Sequence, residues 1–262
     1  MESLSLDDMD PHAALALLDW QVELGVVEAI GDVPIDRYDL PEPVAKSASQ
    51  PASNQAPAVP KAAADDPVAE AEAAAKRAST LPELAAAMEA YDHCTLKRGA
   101  RSFVFGAGQP GAQVMIIGDA PDRDEDRVGQ PFVGRAGQLL DKMTMAIGLD
   151  RNVDGALYLT NVLPWRPSQN RNPDAKEFAM MLPFLRRHIA LVDPKVVILM
   201  GSGPCTALLG RGAISRLRGS WADVAGKPAM PIFHPTYLMQ RPAAKRDAWA
   251  DLLAVQAKLR SQ

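Results

Sequence analysis

The chain has few cysteines and no long apolar stretch, and each absence excludes a class of protein. Only two of its 262 residues are cysteine, Cys94 and Cys205, which excludes a site built from four thiolates. His93 beside Cys94 has no second ligand pair with which to hold a metal ion. No apolar stretch approaches the roughly 20 residues that a membrane-spanning helix needs, and the acidic start MESLSLDDMD is unlike a signal peptide. We therefore expect a cytoplasmic protein without a disulfide or a bound metal.

Basic residues are scarce in the first third of the chain and abundant after it. Residues 1–84 contain 16 acidic and 5 basic side chains, whereas residues 85–262 contain 16 acidic and 23 basic ones. Lysine and arginine release the counterions that condense on a polyanion, so a cationic domain suits nucleic acid. Charge alone fits an ordinary solvated surface equally well, and it favours nucleic acid only together with the motifs described below.

Composition divides the chain into three parts. Residues 1–40 contain a helical pattern that begins at Asp10-Pro11 and repeats apolar residues at helical spacing. Residues 41–65 are rich in Pro, Ala, Ser and Gln, and they are predicted to form a disordered linker. Residues 66–262 are predicted to form one catalytic domain with lead-in helices. The first helix is expected either to dock on a partner protein or to pack back on this domain.

Strand and helix patterns alternate in the third part. Asp66-Pro67 opens an Ala/Glu-rich helical pattern, and Thr80 with Glu83 has the spacing of a capping box for the next helix. Beyond them, the predicted strands are 114–118, 157–162, 196–201 and 230–233, and the predicted helices are 137–147, 174–191, 203–209 and one from about 244. This alternation predicts a three-layer α/β fold, with a mostly parallel four-stranded sheet and helices on both faces.

Three of the predicted strands open onto loops that carry polar side chains. The first strand runs into GDAPDRDEDRVGQPFVGRAG, the second into PWRPSQNRNP, and the fourth into HPTYL. Ligands of open α/β sheets bind outside the carboxyl ends of the strands. Asp, Phe, Asn and His at these ends are suited to a site that grips a flat polar ring.

These motifs, in this order and spacing, resemble the family 4, iron–sulfur type, uracil-DNA glycosylases. The resemblance rests on GDAP, EDRVGQPFVGRAGQLLDKM, YLTNVLPWRP, NRNP, RLRGSW and HPTYL, and it extends from about Cys94 to Leu252. It implies a monofunctional DNA glycosylase that hydrolyses the N-glycosidic bond of deoxyuridine, releases uracil and leaves an abasic site for base excision repair. No metal takes part in the implied reaction.

The resemblance also implies a four-cysteine [4Fe–4S] cluster, and here the sequence departs from the family. Tyr91, Trp165 and Met181 stand where three of the four cysteines are usual, and only Cys94 remains. One thiolate cannot hold a cluster that needs four. We therefore expect no cofactor, and we expect the three bulky side chains to fill the vacated volume by packing.

The implied chemistry requires a carboxylate near the sugar and a donor for the departing base. Asp119 is predicted to position or activate water and to stabilise the sugar cation, although the family usually has Glu at this position. Asp122 replaces a usual glycine and is an alternative for the same role. His234 is predicted to donate, as a neutral imidazole, to uracil O2.

The base itself requires a slot that binds its faces and its edge. Phe132 is predicted to stack on the flipped base. Asn161 offers an acceptor and donors that match N3–H and O4 of uracil and reject cytosine. Gly118 and Ala120, in the loop around Asp119, are also predicted to contact the substrate.

A further set of residues is expected to contact DNA, the alternative being that its arginines are solvated surface charges. Leu238 or Met239 is expected to wedge between bases, and Arg241 to contact phosphate or fill the vacated space. The full set is Gly134, Arg135, Arg166, Arg171, Arg218, Leu238, Met239 and Arg241.

Three other functions stay open at this point. One is a broader glycosylase that acts on hypoxanthine or xanthine, and another is a catalytically weak DNA-binding module recruited by the N-terminal helix. The third and least favoured is a metal-dependent phosphoesterase that uses Asp124, Glu125 and Asp126. For the leading function we expect a monomer that acts on uracil-containing single- and double-stranded DNA and has no membrane association.

Overall fold

A six-stranded mixed sheet lies at the centre of residues 66–261, the part of the chain that the computed structural model describes. Its spatial order is β1-β3-β2-β4-β6-β5. The four inner strands are parallel, and each outer strand is antiparallel to its neighbour. The strands are β1 (Ala107–Gly108), β2 (Val114–Gly118), β3 (Leu157–Asn161), β4 (Val196–Met200), β5 (Ala222–Val224) and β6 (Lys227–Ile232).

The four predicted strands are the four inner parallel strands, so the predicted fold class is confirmed. Two short edge strands were not predicted, because β1 and β5 have two and three residues and neither contains an apolar run. The fourth strand also begins earlier than predicted, at Lys227, because its first two residues are only partly buried.

The sheet is covered on both faces, as buried parallel strands require. Successive side chains of a strand point to opposite faces, and those of β2 accordingly divide between two core clusters. Val114 and Ile116 pack on one face, and Met115 and Ile117 on the other. The inner strands therefore read as continuous apolar runs.

Helices form the two outer layers. The first core cluster includes residues of α4, α8 and α9, and the second includes residues of α5 and α6. The helices are α1 (Pro67–Arg77), α2 (Leu81–Ala90), α3 (Arg123–Val128), α4 (Arg135–Met145), α5 (Ala175–Val192), α6 (Ser202–Leu209), α7 (Ile214–Leu217), α8 (Pro235–Gln240) and α9 (Lys245–Arg260), with 3₁₀ turns at Thr95–Arg98, Ser168–Asn170 and Pro242–Ala244.

The lead-in helices begin where the sequence predicts. The side chain of Asp66 accepts a hydrogen bond from the backbone N–H of Val68, which caps α1. Thr80 caps α2 through the N–H of Glu83, but the Glu83 carboxylate accepts from Ser79 and not from Thr80. The first bond of the predicted capping box is present, but the second one, to Glu83, comes from Ser79 in place of Thr80.

The predicted helix near residues 10–30 and the predicted linker at 41–65 lie outside the described residues. The three-part division of the chain therefore stays a prediction. Within residues 66–261, no helix is long and apolar enough to cross a membrane.

Candidate active site

The loops that follow β2, β3, β4 and β6 meet at one edge of the sheet. Gly118 at the end of β2 is in register with Asn161 at the end of β3, and Met200 of β4 is in register with Ile232 of β6. Because these strands are parallel, the residues that follow them emerge side by side. A cavity of about 590 Å³ opens at this edge, and its lining includes Asp119, Gly201, Ser202, Phe233, His234 and Gln240.

Asp119 lies in the cavity wall against the N-terminus of α6. Its Oδ1 accepts a hydrogen bond from the backbone N–H of Gly203 at 2.8 Å. A Cβ atom on Gly203 would overlap this carboxylate, so the close approach depends on glycine there. Burial raises the pKa of Asp119 to about 6, and the Gly203 hydrogen bond limits the rise. The group is therefore a poorly solvated carboxylate at neutral pH.

His234 caps α8 through its ring. Its Nδ1 accepts a hydrogen bond from the N–H of Thr236 at 3.2 Å, and burial lowers the pKa of His234 to about 4, against an opposing effect of the Asp122 charge. A neutral ring whose Nδ1 is an acceptor carries its proton on Nε2. The side chain is thus a neutral ring with its proton on Nε2, and its donation to uracil O2 stays a prediction.

Asp119 and His234 approach each other across Gly201. A Cβ atom on Gly201 would lie 3.4 Å from Cβ of His234 and 3.5 Å from both carboxylate oxygens of Asp119. Gly201 has a φ of +94°, which favours glycine. The sequence analysis did not single out Gly201, although a glycine between an apolar strand and a helix is a visible signal.

Phe132 and Asn161 meet over Gly118. A Cβ atom on Gly118 would overlap the Asn161 amide and would lie 2.8 Å from Cζ of Phe132. The ring of Phe132 is 6.1 Å from the ring of His234, centroid to centroid, with 30° between the planes. The structure therefore brings the predicted ring, amide and imidazole together.

The amide of Asn161 is buried beside Glu125. Asn161 is only 5% exposed, and its Nδ2 has no partner of acceptable geometry in the described part of the chain. Its side chain makes a looser hydrogen bond to Glu125, which lowers the pKa of that carboxyl against a larger upward effect of burial. A ligand that offers this amide both an acceptor and a donor would pair with it in full.

Glu125 connects several parts of the site, which the sequence analysis did not predict. Its Oε1 accepts from the N–H of Phe132 at 2.5 Å, and its Oε2 accepts from the N–H of Asp122 at 2.9 Å. Burial raises the pKa of Glu125 to about 7. The spacing Asp-x-x-Glu at 122–125 is a readable capping box, but the bond to Phe132 depends on how the loop folds.

The carboxylates of Asp122 and Asp126, in the acidic loop after β2, accept hydrogen bonds from backbone N–H groups. Asp122 caps α3 by accepting from the N–H groups of Asp124 and Glu125, and Asp126 accepts from those of Arg101 and Ser102. Within residues 66–261, no group of three or more His, Cys, Asp or Glu side chains could hold a metal ion. The capping role of Asp122 favours Asp119 as the carboxylate that faces the substrate.

Several predicted DNA contacts have other roles in the fold. Leu238 is 0% exposed and belongs to the core, which corrects the expectation that it forms a wedge. Arg171 is paired with buried Glu177, and Arg218 with buried Asp251. Because removing either arginine would leave a buried carboxylate unpaired, both have structural roles that the prediction of phosphate contacts did not include.

The other predicted contacts differ in exposure, and Gly134 is buried. Met239 is 37% exposed and Arg135 and Arg241 are exposed, whereas Arg166 is half-buried. Gly134 caps α4 with extended backbone. Ala120 packs against the cluster around Trp165, so substrate contact through its side chain is not supported.

The family's cluster positions do not fit an iron–sulfur centre. Tyr91, Cys94, Trp165 and Met181 are buried in one hydrophobic cluster. The Tyr91 hydroxyl donates to the carbonyl oxygen of Pro67 at 2.7 Å, and its ring packs edge-on against Phe184. Burial raises the pKa of the single thiol, Cys94. One protonated thiol among three bulky side chains is not a ligand set for a cluster, and no step proposed below passes through one.

Comparison with known proteins defines the class to which this fold and site belong. The family model of the uracil DNA glycosylase superfamily matches residues 105–253, which include Asp119, Phe132, Asn161 and His234. The chain belongs to this superfamily.

Within that superfamily, the chain is similar to several type-4 uracil-DNA glycosylases. It is 34% identical to the type-4 uracil-DNA glycosylase of Archaeoglobus fulgidus over 167 residues, which cover 60% of this chain and 82% of the relative. It is 33% identical to that of Thermotoga maritima over 150 residues (56% and 77%) and 33% identical to that of Pyrobaculum aerophilum over 172 residues (62% and 85%).

Proposed function

We propose that this protein is a uracil-DNA glycosylase that hydrolyses the N-glycosidic bond of deoxyuridine in DNA. The observation that carries the proposal is the close approach of the Phe132 ring and the buried Asn161 side chain, whose Nδ2 is a donor, at the edge occupied by Asp119 and His234. Uracil O4 accepts from this nitrogen, and uracil N3–H donates to Oδ1. Cytosine presents a donor and an acceptor in the opposite order, so the same amide rejects it.

The reaction produces a cation on the sugar and an anion on the base. Asp119 and His234, two titratable groups of the cavity, stabilise one charge each. As the bond between C1′ and N1 breaks, the sugar becomes cationic and the base becomes an anion. The Asp119 carboxylate stabilises the cation and takes a proton from the water that attacks C1′. The Nε2–H of His234 donates to O2 of the departing base. Solvent then protonates the base, and an abasic site remains.

Burial suits both groups to these roles. A carboxylate with a pKa of about 6 is ionised at neutral pH and is more basic than an exposed aspartate. A neutral imidazole with a pKa of about 4 donates a hydrogen bond without placing a second full charge beside the cation. The low-dielectric surroundings strengthen both interactions.

The partner in this proposal is uracil-containing DNA, and single strands are included because extruding an unpaired base costs less. The exposed Arg135, Arg241 and Met239 are the proposed DNA contacts, with Arg241 lying beside Gln240 of the cavity lining. The protein is proposed to act as a cytoplasmic monomer, without a cofactor, and the segment at residues 10–30 is proposed to recruit a partner protein.

The test is release of free base from labelled single-stranded oligonucleotides that contain one uracil, cytosine or hypoxanthine, with EDTA present. We expect the wild type to release uracil, and Asn161→Asp to lose at least about 100-fold in rate and in preference for uracil over cytosine, because a carboxylate has no donor for O4. Asn152→Asp is the matched control, since Asn152 is exposed. Tight oligonucleotide binding without base release would leave a DNA-binding module, and equal release of hypoxanthine would indicate the broader glycosylase.

A further inference from the structure

Phe132 has a backbone conformation that aromatic side chains rarely adopt. Its φ is +56°, in the left-handed region, and its side chain is 2% exposed. A bulky residue persists in this region only where its surroundings hold it there. Because Phe132 forms the face of the proposed base slot, the groups that hold its backbone also determine where its ring lies.

Two side chains hold the peptide groups of Phe132 from opposite sides. Glu125 accepts from its N–H at 2.5 Å, within the loop that carries both residues. On the other side, Nη2 of Arg151 donates to its carbonyl oxygen at 3.1 Å. Gly137 of α4 packs directly on that carbonyl, where any Cβ atom would overlap it.

Arg151 is itself held by a carboxylate. Its Nε donates to Oδ1 of Asp141 at 2.5 Å, and Asp141 belongs to α4. Both side chains are partly buried, at 23% and 33% exposure. The guanidinium therefore uses separate nitrogens to join the α4 carboxylate to the Phe132 carbonyl, a geometry that its rigid fork provides and a lysine ammonium does not.

Arg151 reaches the slot through the backbone of Phe132, and Asp141 reaches it through Arg151. Neither belongs to the described lining of the cavity, and neither was predicted as a site residue. Arg151 is 19 residues from Phe132 in sequence, and the two residues lie on either side of α4 along the chain. An ion pair with only a structural role would stabilise the fold, and its effect on the rate of uracil release would not depend on Phe132.

We propose that Arg151, oriented by Asp141, is a positioning residue that fixes the Phe132 ring for stacking on the extruded base. The inference rests on the proposed uracil-DNA glycosylase function and extends it to residues outside the cavity. Loss of Arg151 lets the Phe132 peptide leave its left-handed conformation, and the ring then no longer covers the base in the reactive orientation.

The test is a double-mutant cycle on the full chain, measured as the single-turnover rate of uracil release with enzyme in excess. Arg151→Ala is expected to slow release about 10- to 100-fold, the effect of displacing a positioning group by about an ångström. In the Phe132→Ala background, the same change is expected to alter the rate by less than about twofold, because residues that act through one another are not additive. Affinity for an oligonucleotide with an abasic site should change by less than about twofold in both backgrounds.

Arg187→Ala is the matched control. The Nε of Arg187 donates to a backbone carbonyl oxygen, that of Ala78, at 2.8 Å, in the packing of α5 against the end of α1. This variant is expected to lower the unfolding midpoint without slowing uracil release. Arg151→Lys and Asp141→Asn are carried through the same cycle, so that the test does not depend on folding of the alanine variant, and both should show intermediate losses that vanish without Phe132.

The outcomes separate the inference from the function on which it rests. Equal slowing by Arg151→Ala with and without Phe132 would overturn the positioning role while leaving the glycosylase intact. No uracil release by the wild type would overturn the proposed function, and the inference with it. Weaker binding to the abasic-site oligonucleotide at an unchanged single-turnover rate would make Arg151 a DNA contact instead.

Discussion

Asp119 and His234 share one cavity, yet burial moves their pKa values in opposite directions. Removal from water raises the pKa of the carboxyl, to about 6, and lowers that of the imidazole, to about 4. In both cases the cause is the cost of placing a charge in a poorly solvated site. Above about pH 6, both groups are in the forms that the proposed reaction uses.

The pH dependence of the rate follows from these values. We expect the single-turnover rate of uracil release to rise with pH through about 6, because Asp119 must lose its proton before it can accept one from water. At pH 5, about one Asp119 in ten is ionised, so the rate should lie about tenfold below its plateau. His234 stays neutral in this range and adds no further limb. A pH–rate profile from 5 to 8 measures the effect.

Glu125 is the group that could produce a similar profile, since burial raises its pKa to about 7. Glu125→Gln removes that titration and is expected to lower the rate at every pH while keeping the limb near 6. If the limb disappears in this variant, the titrating group is Glu125 and the assignment to Asp119 is wrong.

A methyl group at Gly118 should damage the base slot without unfolding the domain. Gly118→Ala places a Cβ atom in overlap with the Asn161 amide and 2.8 Å from the Phe132 ring, so we expect a loss of about 100-fold in rate. Gly99→Ala is the control, because its Cβ would meet its nearest neighbours only at 3.9 Å. Equal rates for the two variants would show that Asn161 and Phe132 do not act at this point.

At the scale of elements, the packing of α1 and α2 on α5 occupies the place where the family holds its cluster. The hydrophobic cluster that joins them contains Tyr91, Trp165, Met181 and Phe184. Trp165 contacts Phe103 with ring centroids 5.6 Å apart. We expect burial of these side chains to stabilise this part of the fold.

The free energy of unfolding that is lost when one of these side chains is removed tests the stabilising role of the cluster. We expect Trp165→Ala to lower the free energy of unfolding by about 3–5 kcal/mol, the usual cost of a large cavity in a packed core. Trp221→Ala is the matched control, because Trp221 is 41% exposed and should cost less than about 1 kcal/mol. Urea unfolding followed by circular dichroism measures both. A similar small loss for the two tryptophans would contradict a stabilising role for the cluster.

At the scale of the molecule, charge is distributed unevenly along the chain. The excess of basic side chains after residue 84 includes Arg135, which begins α4, and Arg241, which follows α8. Both are exposed, and Arg241 lies over the Tyr237 ring. Arg241 adjoins Tyr237 and Gln240 of the cavity lining, and both arginines are proposed phosphate contacts.

Binding to DNA should therefore weaken as the salt concentration rises, and part of this salt dependence should come from these two arginines. We expect the slope of log Kd against log salt to fall by about one for Arg135→Ala and for Arg241→Ala, since each removed phosphate contact releases one counterion fewer. Arg187→Ala, which loses an arginine bonded to Ala78, should leave the slope unchanged. Fluorescence anisotropy with a single-stranded oligonucleotide at several salt concentrations measures it, and slopes equal to that of the wild type would exclude both residues as phosphate contacts.

The sequence by itself determined the inner sheet and the residues that meet at its edge. Apolar runs of five residues predict buried parallel strands because such strands are covered on both faces. Since the carboxyl ends of parallel strands share one edge, the sequence predicts that Asp119, Asn161 and His234 lie close together. The family resemblance added the expected reaction and the places of the missing cysteines.

Only the tertiary structure decided which of these side chains take part in ion pairs and core packing within the protein. Arg171 and Arg218 look like phosphate contacts in the sequence, but they pair with Glu177 and Asp251, and Leu238 turns inward to the core. Arg151 showed no signal in the sequence, although it holds the carbonyl of Phe132. The physical reason is that periodicity reports the face on which a residue lies, whereas a hydrogen-bond partner depends on distances between elements that pack far apart along the chain.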